Sequence, residues 1–362
     1  MRQAGIAGLP NSGKSTLFNA LTHAGAEVAG HPFTTVDPNL GMANVPDARL
    51  RALAEVLGPE RVVQAQVRFV DIAGLVRGAH EGEGLGNRFL GHIREVDAIV
   101  LLLRWFASDT VPHPTGRVDP LADLETLHAE LALADLGTVG RASAGAAKRA
   151  AATKDRAEAE KAAALELAAS ALERGLPVSA DLSQDQLESL RDVFLLTAKP
   201  FLYVLNVSEA DLPNADALIS RVRSALPEGA PVLAVCARLE AEAADLPDED
   251  AAALLAEFGV RDRATQRIAD AVRQLLGLIT FYSIESSECR AWLVREGTTA
   301  RDAAAEIHTD MAEGFIKAEV VPADELVRAG SISSARERGN ARVEGRDYVV
   351  RDGDVLTFRF RG

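Results

Sequence analysis

Eight consecutive residues, GLPNSGKS from Gly8 to Ser15, bring together two glycines at fixed spacing, a lysine and a hydroxyl. Glycines let successive backbone N–H groups converge on phosphate oxygens, Lys14 adds a point charge for the β and γ phosphates, and Ser15 offers its hydroxyl to Mg²⁺. The expected phosphate cradle is therefore Asn11, Ser12, Gly13, Lys14, Ser15 and Thr16. Asp71 closes the apolar run VRFVD and is placed to hold the same Mg²⁺ through water. Gly74, three residues on, offers its N–H to a γ-phosphate. Between these, HPFTTVDPN (31–39) holds two threonines; Thr35 is the expected third metal ligand, with Thr34 as the alternative. EGEGLGN (81–87) is glycine-rich, and both segments read as switches ordered by the γ-phosphate.

A second constellation concerns the base. Asn206–Glu209 reads NVSE where a P-loop GTPase carries Asn-Lys-x-Asp. In that loop Asp accepts from guanine N1–H and the 2-amino group, and adenine has no donors there. Glu209 is one methylene longer, and Val207 lacks the stem and ammonium of Lys. Asn206 has both a donor and an acceptor to offer N7 and the 6-amino group of adenine. The reading in which Glu209 still serves guanine through a small backbone shift stays open. Cys236 and Ala237 are expected to line the other side of the base.

Elements must position these groups. QAGIAG is a short strand that breaks into glycine, and KSTLFNALTHA has Leu17, Ala20 and Leu21 at helical spacing, so the phosphate loop joins a strand to a helix. VRFVDIAG (67–74), DAIVLLLR (97–104), PFLYVLN (200–206) and PVLAVCA (231–237) are apolar runs of strand length, which implies a parallel sheet covered on both faces. From about 129 to 175 the chain is dominated by Ala, Glu, Lys and Arg and should be helical, with Gly145 as the expected point of reversal in an antiparallel pair. Ser183 and Gln186 form a capping-box pattern. After 278 come LITFYSI, CRAWLV, FIKAEVV, DYVV and VLTFRF, strand-like runs around one amphipathic helix at 299–308.

The expected division is a nucleotide-binding domain in two parts, 1–128 and 199–278, a helical insertion at 129–198, and a small α+β domain at 279–362. With 362 residues and 48% hydrophobic content, several packed cores are affordable; the net charge of −14 opposes nucleic-acid binding through a broadly basic surface, and sequence-specific DNA is not expected. Two cysteines, Cys236 and Cys289, supply neither a disulfide framework nor a zinc site. The chain reads as cytoplasmic, with no signal peptide and no run long enough to span a membrane.

GLPNSGKSTLFNALT, HPFTTVDPN, FVDIAGLVRGAHEGEGLGNRFL, LNVSE and the tail GFIKAEVV with DYVVRDGDVLTFRF together resemble the Obg-like ATPases of the YchF group, among the translation-factor-related P-loop GTPases. The resemblance covers essentially the whole chain. It implies an α/β fold: a P-loop NTPase parallel-sheet G domain with an α-helical hairpin insertion and a C-terminal α+β, β-grasp-like TGS domain. It also implies ATP in preference to GTP, slow hydrolysis and association with the ribosome. Leu75 stands where many GTPases have the Gln that orients the attacking water, and His113 matches the family position proposed for that role. Asn11 matches the family pattern associated with K⁺ at the phosphates, and Ser12 stands where a small apolar residue is common. Arg336, Arg338, Arg342 and Arg346 are candidates for a local basic patch, interspersed with Glu337, Glu344 and Asp347. The competing functions are a ribosome- or RNA-binding regulator with nucleotide only as ligand, and a true GTPase.

Overall fold

The computed structural model describes residues 2–23, 39–72, 74, 85–153, 155–285 and 287–361. Twelve strands form two six-stranded sheets among these residues: β1 (Gln3–Ala7), β2 (Asn39–Asn44), β3 (Arg61–Val63), β4 (Gln66–Asp71), β5 (Ala98–Arg104), β6 (Phe201–Asn206), β7 (Val232–Val235), β8 (Leu278–Glu285), β9 (Glu288–Arg295), β10 (Phe315–Pro322), β11 (Arg342–Glu344) and β12 (Asp354–Phe360). The first sheet runs β2-β4-β1-β5-β6-β7. Its β4-β1, β1-β5, β5-β6 and β6-β7 pairings are parallel. Every residue of β5 and β6 is buried, which is why these strands are continuous apolar runs without alternation. Their register brings the carboxyl ends to one edge: Asp71 pairs with Ile6, Arg104 with Asn206, and Asn206 with Val235. That edge is where open α/β sheets hold their ligands.

Helix α1 (Lys14–His23) follows β1, as the spacing of Leu17 and Leu21 predicts. The later helices include α2 (Ala48–Leu57), α3 (Leu85–Glu95), α4 (Pro120–Thr153) and α5 (Arg156–Glu173). The expected reversal at Gly145 is corrected: Gly145 lies inside α4, and the chain turns after Thr153. A single glycine costs a helix only about 1 kcal/mol, which packing against α5 through Val139, Ala146, Leu165, Ala168 and Leu172 offsets. The new helix is instead started by Asp155, whose carboxylate accepts from Ala157 N at 3.0 Å. The Ser183–Gln186 capping box is present, with both reciprocal bonds made.

Two polar anchors fix α4, one fully buried and one half-buried. Asp135 is fully buried and accepts from Leu196 N (2.9 Å), Thr197 N (2.8 Å) and Thr197 Oγ1 (2.8 Å), tying α4 to the segment that leads into β6. His128 Nε2 lies 3.1 Å from Tyr203 Oη, and its ring packs edge-on to Phe201 and Tyr203. Burial pushes the His128 imidazole down to about 4. A histidine depressed in the folded state contributes stability present above its unfolded value near 6.5 and lost as pH falls through 4. We expect the unaltered protein to lose stability between pH 6.5 and 4 more steeply than His128→Phe. Denaturant midpoints of the two proteins across that range check this, and parallel curves would contradict it.

The chain divides into two compact units, Met1–Met42 with Arg68–Ile268, and Ala43–Val67 with Ala269–Gly362. The boundaries read from sequence put Ala43–Val67 with the nucleotide-binding domain; here Leu50, Leu53 and Ala65 share a core with Tyr282, Cys289, Ala291 and Leu326. Tyr282 Oη donates to Asp47 Oδ2 at 2.6 Å, across 235 residues of sequence. The second sheet runs β11-β10-β12-β8-β9-β3, with β8-β9 and β10-β12 antiparallel and β8-β12 parallel. The helix expected at 299–308 spans Ala300–Ile307, capped by Thr299. DYVV is not a strand, a second correction. Its backbone instead serves the residues around Thr299: Ala300 N donates to Tyr348 O and Val350 N to Thr298 O, leaving one isolated bridge from Thr299 to Val349. β11 takes the edge position beside β10.

The arginines near the C-terminus are largely engaged. Arg336 meets Glu319 through Nε (2.6 Å) and Nη2 (2.5 Å), Arg338 donates to Arg328 O, and Arg342 lies over the Tyr348 ring. They form a mixed surface rather than a free basic cluster. Among the described residues, no helix is long and apolar enough to cross a membrane.

Candidate functional site

The phosphate loop sits at the carboxyl edge of the first sheet, and its glycines are dictated by space. A Cβ on Gly8 would stand 2.5 Å from Leu102 O, and one on Gly13, at φ +92°, would stand 2.2 Å from Asn206 Nδ2. Asn11 also adopts the left-handed region, at φ 63°. Lys14 is 8% exposed and donates to Leu9 O at 2.9 Å, folded back over the loop it serves. Burial lowers its ammonium to about 8, against the pull of Asp71. Ser15 Oγ donates to Asp71 Oδ2 at 3.1 Å, so two of the three expected metal ligands are adjacent. Burial raises the Asp71 carboxyl, opposed by Ser15 and Lys14. Gly74 is packed on the same loop, where an added Cβ would stand 3.1 Å from Pro10 N and 3.2 Å from Lys14 Nζ. Thr35, Thr34, Leu75 and residues 81–84 lie outside the described residues.

Ser15 and Asp71 supply hard oxygen ligands, the set Mg²⁺ prefers when it shares its shell with phosphates and water. Among the described residues no group of three or more His, Cys, Asp or Glu is arranged as a self-sufficient metal site. The residues present fit a cation that is held jointly by protein and nucleotide.

Ser12 is the exception within the loop. It is 2% exposed, and among the described residues its Oγ has no hydrogen-bond partner. An unsatisfied buried hydroxyl costs on the order of 1–3 kcal/mol. Ser12→Ala is expected to raise the melting temperature without altering the cradle, whose N–H groups are backbone; a lowered melting temperature would contradict this.

A cavity of about 370 Å³ opens beside the loop, lined among others by Gly13, Thr16, Phe106, Val207, Glu209, Cys236, Ala237 and Arg238. Asn206 braces it: Nδ2 donates to Ser12 O (2.9 Å) and Oδ1 accepts from Ala237 N (3.0 Å). One N–H and one lone pair of this amide remain for a base, and the Ala237 N–H is already used. Glu209 Oε1 accepts from Arg238 Nε and Nη2, each at 2.8 Å. Burial would raise the Glu209 carboxyl, but its own backbone N–H, Arg238 and the Cys236 thiol outweigh that and hold it below the usual range. Cys236 is itself pushed up to about 11 by burial and remains a thiol.

His113 is buried, and both ring nitrogens are engaged. Nδ1 lies 2.9 Å from Thr115 Oγ1 and 3.3 Å from Thr115 N, Thr115 Oγ1 is also 3.2 Å from Arg117 O, and Nε2 faces Asp123 Oδ2 at 2.9 Å. Asp123 sits in the first turn of α4, and burial raises its carboxyl against the pull of His113. Asn11 Nδ2 donates to Pro112 O at 3.0 Å, joining the phosphate loop to the residue before His113.

Sequence reasoning did not single out Arg104, Asp123 or Arg238. Arg104 alone left a signal, a lone cation ending the apolar run AIVLLLR; the other two sit in helices of ordinary composition.

Two family models match. One for a 50S ribosome-binding GTPase matches residues 3–139, and the YchF-GTPase C-terminal model, described as a protein of unknown function, matches residues 278–361. The protein named "Ribosome-binding ATPase YchF" from Haemophilus ducreyi is 47% identical over 99% of both chains. The chain belongs to the YchF family. The Bacillus subtilis relative of the same name is 44% identical over 99% of this chain and 98% of its own. The solved structure of the Schizosaccharomyces pombe YchF GTPase superposes with a TM-score of 0.86 at 31% identity, covering 99% of this chain and 97% of that one. The family's P-loop domain and C-terminal region are both present. The names of these relatives disagree over the base, GTPase in one and ATPase in the others.

Proposed function

We propose that this chain binds ATP and hydrolyses it slowly with Mg²⁺, and that its nucleotide state governs association with the ribosome. One observation carries the nucleotide reading: Lys14, Ser15, Asp71 and Gly74 converge beside a base-sized cavity whose only carboxylate among the described lining residues is already neutralised by arginine. A guanine reader needs that carboxylate free for N1–H and the 2-amino group. With Glu209 held by Arg238 the cavity presents a guanidinium instead, which opposes the donors of guanine and tolerates the N1 acceptor of adenine.

In hydrolysis the γ-phosphoryl passes to water and ADP leaves. Lys14 and the loop N–H groups stabilise charge on the phosphate oxygens, Gly74 N–H is placed to follow the γ-phosphate, and Asn206 fixes loop and base wall together. Mg²⁺, held by Ser15 and Asp71 with Thr35 as third ligand, would neutralise phosphate charge. K⁺ beside Asn11 belongs to the same reading and is tested by replacing K⁺ with Na⁺ in turnover assays. The domain arrangement is a G domain with a helical pair, and a C-terminal unit of TGS type.

Arg238→Ala frees Glu209. Because the pair is largely exposed on the arginine side, its worth is small, and the ratio of ATP-analogue to GTP-analogue affinity should narrow only about two- to fivefold. An unchanged ratio would remove Arg238 from the account of base choice.

Relatives named as ribosome-binding support the partner. Co-sedimentation with ribosomes in ATP analogue, ADP and no nucleotide tests it: binding that differs between states is expected, and no binding in any state contradicts the partner. A second reading, nucleotide as ligand with incidental turnover, is favoured by the full engagement of His113, and binding that ignores nucleotide state would support it.

A further inference from the structure

Among the described residues Arg104 is the largest fully buried side chain, at 2% exposure, and no carboxylate among them hydrogen-bonds to it. Its guanidinium spends its donors on four backbone carbonyls. Nε donates to Phe106 O (3.1 Å), Nη1 to Asn11 O (3.2 Å) and Pro112 O (3.4 Å), and Nη2 to Val111 O (2.7 Å). The plane lies 4.3 Å over the Phe106 ring. These acceptors come from three places: the phosphate loop, the start of the 106–113 loop, and the two residues immediately before His113.

A buried cation is costly unless its surroundings use it. Here the cost is met by closing a loop that would otherwise hang from β5 with its carbonyls unpaired. The same fork that holds Val111 and Pro112 holds Asn11, whose backbone is in the left-handed region. The segment leading into His113 is thus tied to the phosphate loop by one guanidinium, supported by Asn11 Nδ2 on Pro112 O, while Asp123 and Thr115 hold the ring itself. A planar, multi-donor fork does this; the ammonium of lysine is a point charge and cannot reach four carbonyls in a plane.

We propose that Arg104 is a positioning residue for hydrolysis, locking the 106–113 loop to the phosphate loop so that His113 is presented to the reacting end of the nucleotide. The proposal rests on the reading in which His113 takes part in turnover. A displacement of about 1 Å in a positioned group costs on the order of a hundredfold in rate, so a loosened loop should slow chemistry while leaving phosphate binding largely intact.

The test compares the full chain with Arg104→Lys, His113→Ala and the double variant, measuring melting temperature, affinity for a non-hydrolysable ATP analogue and kcat at saturation. Arg104→Lys keeps the charge and should bind the analogue within about threefold of the unaltered protein while kcat falls at least about tenfold. In the His113→Ala background the same change should cost no more than about twofold, because a group that acts only through His113 has nothing left to position. A merely structural arginine would lower melting temperature and affinity together and would multiply with His113→Ala, which overturns the proposal. Arg104→Lys at full turnover beside a slow His113→Ala overturns it as well. His113→Ala at full turnover overturns the underlying reading instead, and that single variant tells the two failures apart. Should Arg104→Lys not fold, Phe106→Leu removes the ring beneath the guanidinium. Its kcat should fall about three- to fivefold, with the loss vanishing in the His113→Ala background; persistence there overturns the proposal.

Discussion

Lys14→Met lowers affinity for a non-hydrolysable ATP analogue about 30- to 150-fold and reduces turnover to background. Loss of a hydrogen bond to a charged group is worth about 2–3 kcal/mol, and each 1.4 kcal/mol is tenfold. The backbone cradle survives the change, because Gly8 and Gly13 set its shape and Asn206 holds it from the side through Ser12 O. What disappears is the cradle's nearest cation. In the free protein Lys14 is buried against Leu9 O with its proton loosely held, so the ammonium is better served by phosphate than by its present carbonyl. Methionine keeps the volume and the packing beside Gly74 while removing the charge. Calorimetric titration measures the affinity, and phosphate release from protein freed of contaminating ATPase measures the rate. Retained turnover in Lys14→Met would mean that the nucleotide is hydrolysed elsewhere.

The largest stability loss is expected from Asp135→Ala, about 3–5 kcal/mol. The carboxylate is fully buried and satisfies three donors at once, two of them consecutive backbone N–H groups. Alanine leaves Leu196 N, Thr197 N and Thr197 Oγ1 in an apolar setting, and each orphaned buried donor costs on the order of 1–3 kcal/mol. Burial raises the Asp135 carboxyl, opposed by those same three bonds. The contrast is Asp192→Ala: Asp192 also meets a cation, Lys161, but its side chain is 69% exposed, and a change of less than about 1 kcal/mol is expected. Urea midpoints of both variants check this. Equal, small losses would mean that α4 does not depend on its buried carboxylate. The segment held by Asp135 runs on to Lys199, whose Nζ donates to Arg94 O and Val96 O at the end of α3, so loosening should also appear as faster amide exchange in 194–199.

The candidate site was legible where chemistry is local in sequence. The phosphate loop carries its ligands within eight residues, and the strand that ends in Asp71 is an apolar run of the right length, so Lys14, Ser15, Asp71 and Gly74 could be named before any fold was known. The buried strands β5 and β6 were equally plain, since apolar runs of strand length interleaved with helical patterns fit a parallel sheet covered on both faces. Groups whose role depends on distant partners were not. Arg104 acquires meaning only when folding brings Asn11 beside Val111, and Glu209 changes character only because Arg238 arrives from the next strand–helix junction. Gly145 misled because propensity treats glycine as a breaker, whereas a long helix packed along α5 absorbs it. Ala43–Val67 offered no local hint of its core partners, which lie more than two hundred residues away. DYVV has strand composition, but its backbone groups are taken by the turn into the helix at Ala300.

The central claim is that this cavity holds adenine in preference to guanine, and calorimetric titration of nucleotide-free protein with non-hydrolysable ATP and GTP analogues, in Mg²⁺ and K⁺, tests it most directly. The account predicts tighter binding of the ATP analogue by at least tenfold, about 1.4 kcal/mol, within reach of one or two base contacts. Tighter binding of the GTP analogue would contradict it, and would mean that Glu209 leaves Arg238 to read guanine.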